Sequence, residues 1–248
     1  MKLLILAAGY ATRLHPLTLT QPKPLLPVAG KPMVDHVLDN MKAMPGLDRV
    51  IVVTNAKFAS HFQSWSDAYR ASKGAVDIRV VNDGSTSDAN KLGAIGDLSL
   101  VLEREAIDDD LVVVAGDNLF SQPITEFGTF CKAHDQVVLG VHDVGTLEQA
   151  RKYGVVDVDD SGRVTSFVEK PEHPLSTLIG IALYYYPRRC LALVRQYLAE
   201  GNNPDQPGRL IQWIYPRQPV LSWRIPGIWY DIGSKETLEE ANRLFARL

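Results

Sequence analysis

Four short apolar runs, Leu3–Ala7, Arg49–Thr54, Asp77–Val81 and Leu111–Ala115, punctuate the first 120 residues. Amphipathic stretches at Met33–Met44, Ala56–Ser72 and Lys91–Glu105 fill the gaps between them. Runs this rich in Leu, Ile and Val, with little polar alternation, suit strands buried on both faces. Strands separated by helix-length segments return in parallel, through right-handed crossovers. The predicted fold class is therefore α/β, a doubly wound, mostly parallel open sheet. Sheets of this kind bind ligands at the C-terminal ends of their strands.

The second half changes character. Val137–Asp143, Gly154–Val158, Arg163–Glu169 and Leu178–Tyr186 read as strands, with a hairpin turn at Asp159–Gly162. Helices are predicted at Pro187–Gly201 and Pro207–Tyr215, a strand at Val220–Arg224, and a last helix at Lys235–Arg247 capped by Ser234, with Thr237 where a capping box has Glu. The chain of 248 residues is read as a single domain, residues 1–120 forming one part and the more β-rich 121–248 the other. The aromatic groups Tyr184–Tyr186 and Trp213–Tyr215 read as core, with an interface in a homo-oligomer as the alternative. A net charge of −3 and no Lys/Arg run argue against nucleic-acid binding. No apolar run approaches the ~20 residues that span a bilayer, and the apolar core after Lys2 is too short for a secretory signal. Two widely separated cysteines, Cys131 and Cys190, suit a reducing cytoplasm.

The segment after the first strand carries the chemistry. Leu6, Ala7, Ala8 and Gly9 leave a strand's C-terminal end with small side chains, so that main-chain N–H groups can approach a ligand. Thr12, Arg13 and Lys23 follow on a loop holding Pro16, Pro22, Pro24, Pro27 and Pro32, which cannot be helical and loses little entropy on ordering. Two cations on a stiff loop beside bare backbone form a polyphosphate cradle; a solvated Pro-rich surface loop is the plainer reading.

Residues Leu6–Met33, LAAGYATRLHPLTLTQPKPLLPVAGKPM, closely resemble the N-terminal signature of the sugar-1-phosphate nucleotidyltransferases, the sugar-nucleotide pyrophosphorylases that include thymidylyl- and uridylyltransferases. The resemblance implies a Rossmann-like nucleotidyltransferase fold, with residues 1–120 binding nucleotide and 121–248 binding sugar phosphate. One departure stands out: Ala11 replaces the second glycine of the G-x-G-T-R turn, and is strained if that turn needs positive φ.

Beyond the signature, Asp117 in Val112–Asn118 (VVVAGDN) follows a buried strand and a glycine that permits a sharp turn. It reads as a turn residue or, at a strand's C-terminal edge, as a ligand for Mg²⁺. Asp231 in Trp229–Gly233 (WYDIG) is either a residue leading into the last helix or a second carboxylate. The resemblance assigns both to Mg²⁺. It likewise implies that Glu169 of Glu169-Lys170-Pro171 binds sugar hydroxyls, that Lys170 binds the sugar phosphate, and that Gly154 of Tyr153-Gly154 reaches the sugar. The base-reading stretch departs from the family: its Gln and Pro are missing from Asn82–Ala94, leaving Asn82 near the Gln position and Gly93 and Ala94 as a small-residue turn.

The implied reaction is attack of a sugar-1-phosphate oxygen on the α-phosphorus of an NTP, expected to be a pyrimidine nucleotide, with Arg13 on the leaving pyrophosphate, Lys23 on the α-phosphate and Lys170 on the attacking phosphate. Two relatives of that reading stay open: a cytidylyltransferase for a phosphorylated alcohol such as phosphocholine or an inositol phosphate, and a non-catalytic nucleotide sensor. A glycosyltransferase fits less well, because Asp108–Asp110 precedes its strand and Gly116-Asp117-Asn118 holds one carboxylate.

Overall fold

The computed structural model describes residues 1–74 and 76–247. Its main sheet has nine strands. In chain order these are β1 (Lys2–Leu6), β2 (Arg49–Thr54), β3 (Ile78–Asn82), β4 (Leu111–Ala115), β5 (Val137–Asp143), β6 (Gly154–Val158), β7 (Val164–Glu169), β8 (Leu178–Tyr186) and β9 (Val220–Arg224). The helices are α1 (Met33–Met41), α2 (Ala59–Lys73), α3 (Ala94–Arg104), α4 (Thr125–His134), α5 (Ala192–Ala199), α6 (Pro207–Ile214) and α7 (Lys235–Phe245), with a single helical turn at Leu147–Ala150.

The strand order β3-β2-β1-β4 is parallel throughout. The chain walks outward from β1 to β3, then crosses back to lay β4 on the other side of β1. That reversal opens a crevice between the C-terminal ends of β1 and β4, where an open α/β sheet places ligands. Leu6 is in register with Ala115, so the segments that follow them leave the sheet side by side.

Alternate residues of the central strands enter different cores, as a doubly covered sheet requires. Leu3, Ile5, Val50, Val52, Val112 and Val114 face α1, α2 and α4. Leu4, Ile51, Val53, Leu111 and Val113 face α3, α5 and α6. Antiparallel β8 pairs with β4, β5 and β6. A third, smaller cluster joins Leu14, Leu26 and Val28 of the proline loop to Leu119, to Ile232, and to Ala241 and Phe245 of α7.

Several expectations need adjustment. The proline loop is not free of helix: single 3₁₀ turns form at Thr12–Leu14, Leu17–Leu19 and Lys23–Leu25. A single turn accepts proline near its start, where no intrahelical N–H is needed. The helix expected over 187–201 divides into a 3₁₀ turn, Arg188–Cys190, and α5. Helix α4 was not expected; only Phe127, Gly128 and Cys131 are buried, too narrow a stripe to show as a period. Tyr184, Tyr185, Tyr186, Trp213 and Ile214 are buried in the monomer's core. Thr237 does substitute for Glu in the box that caps α7: its hydroxyl accepts from Ser234 N at 2.9 Å, while Ser234 Oγ accepts from Thr237 N at 3.3 Å.

Candidate functional site

The crevice holds three adjoining cavities of about 480, 350 and 310 Å³, and exposed Arg13 lines all of them. The middle one, over the end of β1, is lined by Leu6, Ala7, Gly9, Lys23, Ala94 and Asp117, among others. The first lies toward β6 and β7 and takes in Gly154, Glu169, Lys170 and Asp231. The third lies toward α3 and takes in Ala8, Gly9, Thr12, Gly93 and Ala94. Every residue expected at the site therefore lines the cleft except Asn82. That residue is exposed at the end of β3 and turns its amide oxygen back to accept from Gly84 N at 2.9 Å.

The turn after β1 is held from below. Buried Asn55, directly after β2, donates to Ala8 O at 2.9 Å and accepts from Phe58 N at 3.1 Å. Ala11 has φ 47° and ψ 46°, the left-handed conformation that favours glycine. Its carbonyl accepts from the buried Thr18 hydroxyl at 2.8 Å, which ties the strained residue to the next turn. A Cβ at Gly9 would meet no protein atom within 4 Å; the space above it belongs to the cleft.

The turn expected at Gly116 is present, closed by Asn118 N donating to Ala115 O at 3.1 Å, and the glycine also serves packing. Its φ lies outside the left-handed range, but a Cβ there would stand 3.1 Å from Ile5 and 3.2 Å from Pro24. Its absence lets Pro24 settle on the sheet edge and brings Lys23 over Asp117, with Nζ 2.5 Å from Asp117 Oδ2 and 3.9 Å from Asp231 Oδ1. Asp117 and Asp231 come from distant segments joined by a two-stranded ribbon, Leu119–Phe120 with Trp229–Tyr230. Asn118 reinforces the ribbon: it donates to Ala182 O at 2.9 Å and accepts from Trp229 Nε1 at 3.3 Å. Tyr153 packs edge-on against Trp229 and directs its hydroxyl at Asp231 Oδ2, 3.4 Å away.

Burial raises the Asp231 carboxyl above the usual carboxylate range, and the charge of Asp117 adds to the effect, with Lys23 and Arg13 opposing it. Two carboxylates bracketing one ammonium make a locus built for positive charge. Oxygen donors in this number suit Mg²⁺, which takes one or two carboxylates and completes its shell with phosphate and water.

At the other end, Glu169 sits in a nook only glycines could form. A Cβ at Gly154 would stand 3.1 Å from Glu169 Oε2, and one at Gly208 only 2.5 Å from it. Glu169 is one-tenth exposed, and burial raises its carboxyl pKa. Lys170 follows with φ 48°, its amide donating to Tyr153 O at 3.0 Å and its ammonium half exposed at the rim.

Sequence reasoning missed Thr18, Asn55, Asn118 and Gly208. Asn55 directly follows β2 and Asn118 lies three residues beyond β4, positions where a polar side chain is a usable signal. Gly208 carried only the weak cue of Pro-Gly at a helix start.

The chain is 30% identical over 242 residues to the UTP–glucose-1-phosphate uridylyltransferase of Synechocystis sp., covering 94% of this chain and 60% of that protein. It is 28% identical over 258 residues to mannose-1-phosphate guanylyltransferase 1 of Arabidopsis thaliana, covering 99% and 64%. The chain thus spans under two thirds of the length of these curated relatives. A crystal structure of UDP-glucose pyrophosphorylase complexed with UDP-glucose superimposes with a TM-score of 0.82 at 22% identity, covering 99% of this chain and 98% of that one, which establishes the shared fold. The nucleotidyl transferase family model matches residues 2–247, and the chain belongs to that family.

Proposed function

We propose that this protein transfers a nucleotidyl group from an NTP to a sugar-1-phosphate, releasing pyrophosphate and an NDP-sugar. The observation that carries the reading is the single cleft in which Arg13 and Lys23 adjoin the Asp117–Asp231 pair, with Glu169 and Lys170 at its far end.

The attacking phosphate oxygen is already anionic at neutral pH, so no protein base has to generate the nucleophile. One P–O bond forms at the α-phosphorus and the bond to the β,γ-pyrophosphate breaks. What the protein must supply is alignment and charge neutralisation. Lys170 holds the incoming phosphate, while Glu169, in its glycine-walled nook, accepts from sugar hydroxyls. Lys23 faces the α-phosphate, where charge builds up on the equatorial oxygens. Arg13 stabilises the departing pyrophosphate. Asp117 and Asp231 would hold Mg²⁺, which supplies further neutralisation of phosphate charge when bound. Lys23 would then exchange its carboxylate partner for phosphate oxygens.

A pyrophosphate-release assay with Mg²⁺, run over the common NTPs and several sugar-1-phosphates, tests the reading. Arg13→Ala is expected to lower kcat about 10²–10³-fold, the usual loss for removing one charge-stabilising group. Undiminished turnover in that variant would remove Arg13 from the mechanism. Absence of pyrophosphate release with every pair would leave a sensor as the better description.

A further inference from the structure

Packing alone aims the Glu169 side chain. No described residue hydrogen-bonds its carboxylate, and the Lys170 ammonium stands 3.9 Å off at the rim. One ring and three glycines surround it instead. Phe167 precedes Glu169 by two residues on β7, so both side chains leave the same face of the sheet. On that face Glu169 is in register with Gly154 of β6, and Gly154 with Gly180 of β8, so the two positions beside the carboxylate carry no side chain. The buried Phe167 ring leans into that trough. A Cβ at Gly154 would collide with its Cζ, and one at Gly180 would stand 2.9 Å from its Cε2. Gly208 of α6 closes the box from the helix side: a Cβ there would stand 2.9 Å from Phe167 Cζ and 2.5 Å from Glu169 Oε2. None of the three glycines has a φ in the left-handed range, so clearance rather than backbone freedom calls for glycine. All five residues line the cavity toward β6 and β7.

The neighbours of Gly208 differ in how they can give way. The ring is hemmed in by Gly154 and Gly180 as well and cannot retreat, whereas the carboxylate ends a flexible side chain and can. A side chain at position 208 is therefore relieved by swinging Glu169 out of its nook, which spares the fold and spoils the aim. Truncating the ring has the complementary effect, because the carboxylate loses the wall it rests against. Resting on the transfer reading above, we infer that Phe167 and Gly208 are positioning residues for the sugar end, and that they act by holding the Glu169 carboxylate ready for sugar hydroxyls. With no protein donor on it, that carboxylate takes its hydrogen bonds from the substrate, so a small displacement falls on sugar recognition first.

Steady-state pyrophosphate release, with glucose, mannose, galactose and N-acetylglucosamine 1-phosphates as acceptors, separates these roles from a general packing defect. Gly208→Ala is expected to lower kcat/KM for the best acceptor about tenfold while KM for the NTP stays within about twofold, because alignment is lost at one end of the cleft. Phe167→Leu, which only removes atoms, is expected to show the same split. On a Glu169→Ala background, Gly208→Ala is expected to cost no more than about twofold further, since no carboxylate is left to misplace. An unchanged kcat/KM in either folded variant overturns that residue's role. A matching rise in KM for the NTP, or a further loss on the Glu169→Ala background as large as that in the native one, overturns the inference while leaving nucleotidyl transfer intact. If Gly208→Ala fails to fold, Phe167→Leu decides by the same outcomes. A native protein that releases no pyrophosphate with any NTP and acceptor overturns the transfer reading, and the positioning roles fall with it.

Discussion

Ala11 is the residue at which sequence and backbone disagree most directly. Holding alanine in the left-handed region costs roughly 1–2 kcal/mol. Glycine there removes the strain but adds unfolded-chain entropy of roughly 0.4–1 kcal/mol. Ala11→Gly is therefore expected to stabilise the fold by up to about 1 kcal/mol, and β-branched Ala11→Val to destabilise it; urea unfolding of both checks this, and a clear loss in the glycine variant would mean the turn is not left-handed. Asp97 supplies a second residue-scale test. Burial, then the charge of Asp83 and a hydrogen bond to it, push its carboxyl up to about 8. Between the ordinary value near 3.8 and about 8 the folded protein keeps a proton that the unfolded chain has lost. Raising the pH through that window therefore lowers stability, and the loss levels off above it. Asp97→Asn, which has no proton to lose, is expected to flatten this fall, so that its Tm gain over the native protein is larger at pH 8 than at pH 5. Equal gains at the two pH values would show that Asp97 does not titrate in the window. None of this could be read from the sequence around Asp97, because its partner Asp83 comes from the end of another strand. That Arg13, Lys23, Asp117, Glu169, Lys170 and Asp231 would line one cleft was legible through their resemblance to a family's motifs, which act through residue type and spacing.

Among the elements, the buried strands were legible nearly to the residue, since Val, Leu and Ile runs bounded by turns leave few alternatives. Helix α4 was not, because Gly128 lies in its middle, packed 3.2 Å from Met44 by its virtual Cβ. The short Leu119–Phe120/Trp229–Tyr230 ribbon was also invisible: two-residue strands have no period. Yet this ribbon holds Asp117 and Asp231 in one place, with Asn118 pinned to both Ala182 and Trp229. Asn118→Ala leaves the buried Trp229 Nε1 and the half-buried Ala182 O without this partner, at a cost of roughly 1–3 kcal/mol. Its kcat is expected to fall about tenfold, the cost of misplacing the Asp117–Asp231 pair being smaller than that of losing it. KM for the NTP should change little, since Asn118 is absent from the two cavities that the triphosphate and base would fill. A rise in KM alone would assign Asn118 to binding instead.

At the scale of the molecule, β8 matters most. It is hydrogen-bonded to β4 from residues 1–120 and to β5 and β6 from the rest, so the two halves share one sheet. A single cooperative unfolding transition is expected, with far-UV circular dichroism and tryptophan fluorescence coincident in urea. Two resolved steps would show that the halves unfold separately. Among the described residues no helix is long and apolar enough to cross a membrane. The third hydrophobic cluster has a different kind of reach. Leu14 adjoins Arg13, Ile232 adjoins Asp231, and Leu119 lies two residues from Asp117, all packed with Ala241 and Phe245 of α7. A random-mutagenesis screen scored only on product formation should therefore recover lesions at Ala241 and Phe245. Neither residue lines the cleft, yet α7 is the floor on which the segments carrying Arg13, Asp117 and Asp231 are mounted.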